Sequence, residues 1–299
     1  MKVLLFGKNG QVGWELQRSL APLCHLVALD RNDVSPICGD LADPAGLASV
    51  IREVRPDVII NAAAHTAVDQ AETEPDLARA INATAPGVLA REAAAAGAWL
   101  VHYSTDYIFN GTGSKPWTET DPPDPLNVYG QTKLEGEHLI RASGCRHLIF
   151  RTSWVYASRG HNFARTMLRL ASERDSLAVI DDQHGAPTAA DLLADVTAHA
   201  MSAAIRRPEL AGTYHVAASG ETTWHGHATR VIETARATGL PIRVAPDAIL
   251  AVPSTAFTMA AKRPTNSRLA TDKLQQAFGL VLPHWTVGVD RMLAEILER

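Results

Sequence analysis

Cysteine is scarce in this chain of 299 residues: Cys24, Cys38 and Cys145 are an odd number with no paired spacing. That argues against a disulfide framework or a zinc ribbon, and the cytoplasm is the expected compartment. Long apolar runs are also missing. None approaches the ~18 residues a membrane helix needs, so no membrane partner is expected. The opening MKVLLFG reaches its first glycine too early for a signal peptide and reads as a strand that starts at once. Neither sign of charge dominates, with 28 Lys and Arg against 32 Asp and Glu and a net charge of −4. Such a chain carries no global footprint for nucleic acid, although a local cluster can still hold a phosphate. With 46% hydrophobic residues it can bury a core without metal or disulfide staples, as one large domain or two smaller ones.

Short apolar runs alternating with helical patterns fill the first half. Strands are expected at 2–6, 25–29, 57–60, 98–103 and 147–152. Helices are expected through Trp14, Leu16 and Leu20, at 47–54, across 71–97 with a break near Pro86, and at 126–141. Near-continuous apolar strands of this kind imply a doubly wound parallel α/β sheet covered on both faces. The second half is less regular, with helices near 163–171, 191–205 and 224–239, a strand near 212–216, and two terminal helices. The expected organisation is a dinucleotide-binding domain over 1–155, to which later segments return, and a mainly substrate-binding region over 156–299.

Gly7-Lys8-Asn9-Gly10-Gln11-Val12-Gly13 lies between the first strand and the first helix. The spacing is GxxGxxG. Glycines there permit a tight turn and a close approach of backbone to a pyrophosphate, and the helix N-terminus adds free N–H groups. Asp30 ends the second strand about 20 residues on, where a carboxylate hydrogen-bonds an adenosine ribose. Asp30 favours the 2′-hydroxyl of NADH, whereas Arg31 suits the 2′-phosphate of NADPH or is an ordinary solvated charge. Gly39-Asp40 follows, and Asp40 either caps the next helix or accepts from the adenine amino group.

Ser104-Thr105-Asp106-Tyr107 directly follows the strand at 98–103, at the carboxyl end where ligands sit in open parallel sheets. Tyr129 and Lys133 stand at i and i+4 on a helix and therefore share a face. An ammonium beside a phenol is expected to lower the tyrosine pKa and make it a usable acid or base. His225-Gly226-His227 has metal-like spacing without partner ligands and reads as surface.

Together the glycine loop, Asn61-Ala62-Ala63-Ala64, Ser104-Thr105 and the YxxxK of Tyr129–Lys133 resemble the extended short-chain dehydrogenase/reductase superfamily. Longer stretches resemble its dTDP-4-dehydrorhamnose reductase family: residues 61–69, 102–107, 125–130, Arg151-Thr152-Ser153-Trp154-Val155-Tyr156 and Arg263-Pro264-Thr265-Asn266-Ser267. These landmarks span essentially the whole chain. The resemblance implies a Rossmann-like fold and NADPH- or NADH-dependent reduction of the C4 ketone of dTDP-4-dehydro-L-rhamnose. Tyr129 would be the proton donor, Lys133 would tune it and hold the nicotinamide ribose, and Thr105 would hydrogen-bond the keto oxygen. Gly7, Gly10, Gln11, Val12 and Gly13 would meet the pyrophosphate. Asp30 would meet the ribose, with Gly39 and Asp40 by the adenine. Ala64, His65, Thr66 and Tyr103 would line the nicotinamide side. Ser104, Asp106 and Trp154 would contact the sugar nucleotide, Trp154 being otherwise plain core. Arg263 and Lys262, with Asn162 as a neutral donor, are candidates for the diphosphate or are surface groups. Some family members bind Mg²⁺ between subunits through helix glutamates, the other reading of such residues being solvated helix carboxylates. Glu15 occupies one such place, Asp191 stands where a glutamate is expected, and Glu295 is approximately placed. A homodimer is the expected assembly. Asp106 is followed by Tyr107 rather than by the glutamate a 4,6-dehydratase needs, which favours simple reduction. An epimerase and a non-catalytic dinucleotide-binding subunit stay open as rivals.

Overall fold

The computed structural model describes residues 1–33 and 39–297; Cys38 lies outside the described residues. Strands β1 (Lys2–Phe6), β2 (His25–Leu29), β3 (Val58–Asn61), β4 (Trp99–Thr105) and β5 (Arg146–Thr152) form one sheet with Gly212–His215. The order across it is Gly212–His215, β5, β4, β3, β1, β2, and every neighbouring pair is parallel. Burial on both faces explains sequences such as VLLF and VIIN, which have no polar alternation until their ends.

Helix α1 (Gln11–Leu20) and the helix Ala190–Arg206 cover one face, over a core containing Leu16, Leu20, Val101, Phe150 and Met201. On the other face lie α2 (Pro44–Val54), α5 (Ala85–Ala96) and α6 (Val128–Ala142), around Leu47, Ile51, Leu89 and Ile140. Short helices α3 (Val68–Thr73) and α4 (Pro75–Arg79) lead into α5. The chain therefore crosses residue 155 and returns: 190–216 and Leu274, Phe278 and Leu282 belong to the first core. The remainder of the second half builds two smaller cores around the helices Phe163–Glu173, Trp224–Ala237 and Trp285–Leu297.

The expected break near Pro86 comes a turn earlier, as a wide π turn at Ala80–Thr84, and Pro86 itself opens α5. Proline has no N–H for the carbonyl four residues back and its ring crowds that carbonyl, so the helix widens at Asn82. His225-Gly226-His227 is not surface. His227 is buried among the rings of Tyr156, Phe163, Trp224 and Trp285, and His225 Nε2 meets Ile249 O at 3.0 Å. Capping of Trp224–Ala237 by Thr223 places both residues in its first turn, and that turn faces inward.

Helix α6 is fixed from both ends. Asn127 caps it by accepting from Gly130 N at 2.8 Å, and a Cβ on Gly130 would stand 2.2 Å from Tyr107 O. Only glycine lets the helix begin so close to the end of β4. Three turns in, Glu137 is fully buried and held by Arg151 of β5 in a fork, with Nε at 3.0 Å and Nη2 at 2.8 Å, while Arg141 adds a bond of 2.9 Å. Burial pushes the Glu137 carboxyl up, but the two guanidiniums outweigh it and hold the net value below the ordinary range. A pair like this is costly to break, because the surviving charge stays buried. Glu137→Ala is expected to lower unfolding free energy by about 3–5 kcal/mol in urea denaturation. The contribution of the pair is present above the ordinary glutamate pKa and should fade as pH falls through the depressed native value.

Candidate active site

The loop after β1 follows the glycine pattern for steric reasons. Gly7 has φ +87°, and a Cβ on Gly13 would lie 1.9 Å from Gly7 O. Gly10 N donates to Gly7 O at 3.0 Å and caps α1 without a side chain. The first N–H groups of α1, at Gln11, Val12 and Gly13, thus face a cradle built of backbone. A pyrophosphate fits that cradle, and so a dinucleotide fits these residues.

At the end of β2, Asp30 accepts weakly from Asn32 N at 3.3 Å, and its own N–H donates to Asp33 Oδ2 at 2.7 Å. Asp33 was not expected from the sequence. Its carboxylate is held at 2.7 Å by Lys8 and lowered below the usual range by that bond. Gly39 packs against Leu29 and Asp30, and Asp40 Oδ1 accepts from Ala42 N at 2.9 Å. Asp43, not Asp40, caps α2. Ala64, His65 and Thr66 form the loop after β3. Asn82 of the π turn clamps that loop by bonding both His65 N (2.9 Å) and His65 O (3.0 Å), and reaches Thr132 Oγ1 at 3.3 Å.

Thr105 and Asp106 end β4 and are buried; Thr105 Oγ1 donates to Asp106 Oδ1 at 3.2 Å. Burial raises the Asp106 carboxyl to about 7, with hydrogen bonds from Ser267 and Thr105 pulling the other way. Tyr129 meets the ring of Tyr107 edge-on at 5.6 Å. Its pKa does not fall as expected. Burial pushes it up to about 12, the hydroxyl of Thr105 opposes this, and the charge of Asp106 adds to it. The physical reason is that burial makes the phenolate costly and outweighs the hydrogen bond from Thr105. Lys133 is 2% exposed, and burial lowers it to about 8 against the attraction of Glu137. Its Nζ donates to Tyr103 O at 2.5 Å and lies 3.2 Å from His102 Nε2.

Tyr103 offers its carbonyl to Lys133, whereas its hydroxyl turns to the opposite face and meets Thr197 Oγ1 at 2.6 Å. Ser104 is buried on the α6 side beside Glu137. Trp154 stacks on Trp224, ring centroids 3.7 Å apart, with a left-handed φ of +49°. A bulky residue there stores strain of about 1–3 kcal/mol. Trp224, missed in the sequence, also contacts Phe163 and lines a cavity of about 430 Å³ with Tyr107, Gln183, Phe257 and Arg263. Arg263 is not an unpaired cation: Asp69 takes it at 2.6 and 3.2 Å, from 194 residues away. Lys262 is exposed, and its carbonyl accepts from Asn127 Nδ2. Asn162 caps the helix Phe163–Glu173 and donates to Ala157 O at 2.7 Å and to Gln11 Oε1 at 3.4 Å, tying the second half to the phosphate loop.

Glu15, Asp191 and Glu295 do line one cavity, but they do not fit a divalent cation. Arg18 bonds Glu15 and Asp195, and Arg291 lies between Asp191 (3.3 Å) and Glu295 (3.4 Å). Among the described residues no group of three or more acidic, histidine or cysteine ligands could hold a metal. Guanidiniums occupy the ground a cation would need. Among the same residues, no helix is long and apolar enough to cross a membrane.

Residues 1–298 match the model of the RmlD substrate binding domain family. The chain is 58% identical over 296 residues to the dTDP-4-dehydrorhamnose reductase of Escherichia coli (strain K12), covering 99% of this chain and 98% of that protein. A crystal structure of a dTDP-4-dehydrorhamnose reductase from Clostridium acetobutylicum superposes with TM-score 0.88 at 34% identity, covering all of both chains. The dTDP-4-dehydrorhamnose reductase of Bacillus anthracis, solved in complex with NADP, gives TM-score 0.87 at 34% identity over 98% of this chain and 99% of that one.

A side chain at Gly13 would enter the cradle carbonyl. Gly13→Ala is expected to weaken NADPH binding at least about tenfold, measured by nicotinamide fluorescence titration, with far-UV circular dichroism retained.

Proposed function

The chain belongs to the RmlD substrate binding domain family, whose members are NAD(P)H-dependent oxidoreductases, and from that premise we propose that it reduces the C4 ketone of dTDP-4-dehydro-L-rhamnose to dTDP-L-rhamnose. One observation carries the reading. Thr105, Tyr129 and Lys133 converge at the carboxyl end of β4, in the same sheet whose β1 ends in the glycine cradle. Dinucleotide-binding α/β sheets place reacting groups along that edge.

A bound nicotinamide dinucleotide supplies the hydride. Gln11, Val12 and Gly13 would present N–H groups to its pyrophosphate, and Lys133 would hold the nicotinamide ribose. Asp30 takes the adenosine ribose. Tyr129, protonated throughout the neutral range, gives its phenolic proton to the carbonyl oxygen as negative charge develops there. Thr105 Oγ1 turns its one hydrogen from Asp106 to the same oxygen, an arrangement that stabilises the alkoxide more than the ketone. Trp154 on its Trp224 platform offers an apolar face to the hexose. Arg263, held by Asp69, lines the cavity beside Trp224.

The deciding experiment follows absorbance of reduced nicotinamide with dTDP-4-dehydro-L-rhamnose. One NADPH or NADH consumed per product formed supports the reading. Product without net consumption marks an epimerase, and tight dinucleotide binding with no turnover marks a non-catalytic subunit. Tyr129→Phe should cut kcat by about 10²–10⁴ with the dinucleotide Kd unchanged, because it removes the proton and keeps the ring. Asp30→Ala should shift the ratio of kcat/KM values toward NADPH over NADH, since a carboxylate at the ribose repels a 2′-phosphate.

A further inference from the structure

His102 is wholly buried in the middle of an otherwise apolar strand and takes no part in the reaction described above. Its two ring nitrogens nevertheless connect two family landmarks. Nδ1 lies 3.2 Å from Asn61 Nδ2, at the end of β3, and Nε2 lies 3.2 Å from Lys133 Nζ. Asn61 and His102 are register partners in the sheet, so the contact is fixed by strand pairing.

The chemistry of Asn61 settles the tautomer. Its Oδ1 accepts from Ala63 N at 3.2 Å, and a backbone N–H can only donate. The amide NH₂ must therefore face His102. An amide NH₂ offers no lone pair, so Nδ1 accepts and the proton of the neutral ring sits on Nε2. The ring is neutral because burial drives its pKa well below the ordinary value. An Nε2–H consequently points at Lys133 Nζ. An ammonium has three donors and no acceptor, whereas the amine has a lone pair.

We propose that His102 is a positioning residue of this reductase: locked by Asn61 as the Nε2–H tautomer, it donates to Lys133 Nζ and favours the amine over the ammonium. Burial supplies part of this bias, and the other polar neighbours of Lys133 do not add to it. Tyr103 O accepts from either form. Glu137, one turn along α6, favours the ammonium but is shared between Arg151 of β5 and Arg141. Tyr129, one turn back, is a neutral phenol at neutral pH. His102 therefore adds to the burial that lowers Lys133, so that its charge can follow events in the cleft. The proposal rests on the reductase reading for its consequence in turnover, but not for the titration itself.

The test has two readouts. The first is the titration of the Lys133 side chain by NMR of ¹³Cε-lysine protein, its resonance assigned with Lys133→Arg. The second is the pH profile of kcat for ketone reduction. In His102→Gln the side-chain oxygen can face Lys133, and the midpoint should rise by about one pH unit, the worth of one hydrogen bond. Should that variant fail to fold, Asn61→Leu reads the same point without adding charge. With no amide N–H facing it, Nδ1 can carry the proton, the Nε2 lone pair can turn to Lys133, and the midpoint rises likewise. An unchanged or lowered midpoint overturns the proposal. So does a raised midpoint with a kcat profile identical to wild type, because Lys133 would then titrate without consequence for the reaction. Absence of any turnover in the wild type sinks the reductase reading, and the NMR titration still reports the His102–Lys133 bond.

Discussion

The fork between Arg151 and Glu137 is what allows a lysine and a tyrosine to stand at a dry sheet edge. Helix α6 carries Tyr129, Lys133 and Glu137 at intervals of four, so the three share one face turned to β4 and β5. Burying such a face is unfavourable unless its charges are met. Glu137 is met twice by guanidiniums, and the hydrogen bonds are direct and two-pronged. With that turn fixed and Gly130 seated against Tyr107 O, the helix has no freedom to rotate, and Lys133 Nζ is delivered to Tyr103 O. The site is thus positioned by an interaction one turn away from it.

What was legible in the sequence was local stereochemistry. The glycine spacing, strand ends and i,i+4 pairing each follow from a few adjacent residues, and the sheet, the cradle and the helix of Tyr129 and Lys133 appear as expected. Contacts made by register or by distant segments were not legible. His102 meets Asn61 only because β3 and β4 pair as they do. Asp69 reaches Arg263 across 194 residues and turns an expected diphosphate ligand into half of an ion pair. Trp224 makes a platform of Trp154 through a helix cap far along the chain. A buried polar residue such as His102 in an apolar strand was the one available signal, since burial of a lone imidazole requires partners.

The carboxylates expected to hold a cation show the same limit from the other side. Glu15, Asp191 and Glu295 converge on one cavity, as their placement suggested, but Arg18 and Arg291 come with them. Convergence of like charges and the presence of a metal are separable facts. The arginines offset the repulsion that a cation would otherwise relieve.

The pKa directions of Tyr129 and Lys133 belong to one argument about protons. A phenol raised to about 12 keeps its proton at neutral pH but gives it up reluctantly. A lysine lowered to about 8 is still mostly charged at the same pH, with a minority of amine. In the proposed reduction, the negative charge that builds in the cleft draws the amine fraction of Lys133 toward its ammonium form. The donor is then acidified when the acceptor appears, which is the differential stabilisation that accelerates a reaction rather than merely binding its reactants. Burial sets the charge of Lys133, and the proposed bond from His102, held by Asn61, adds to it.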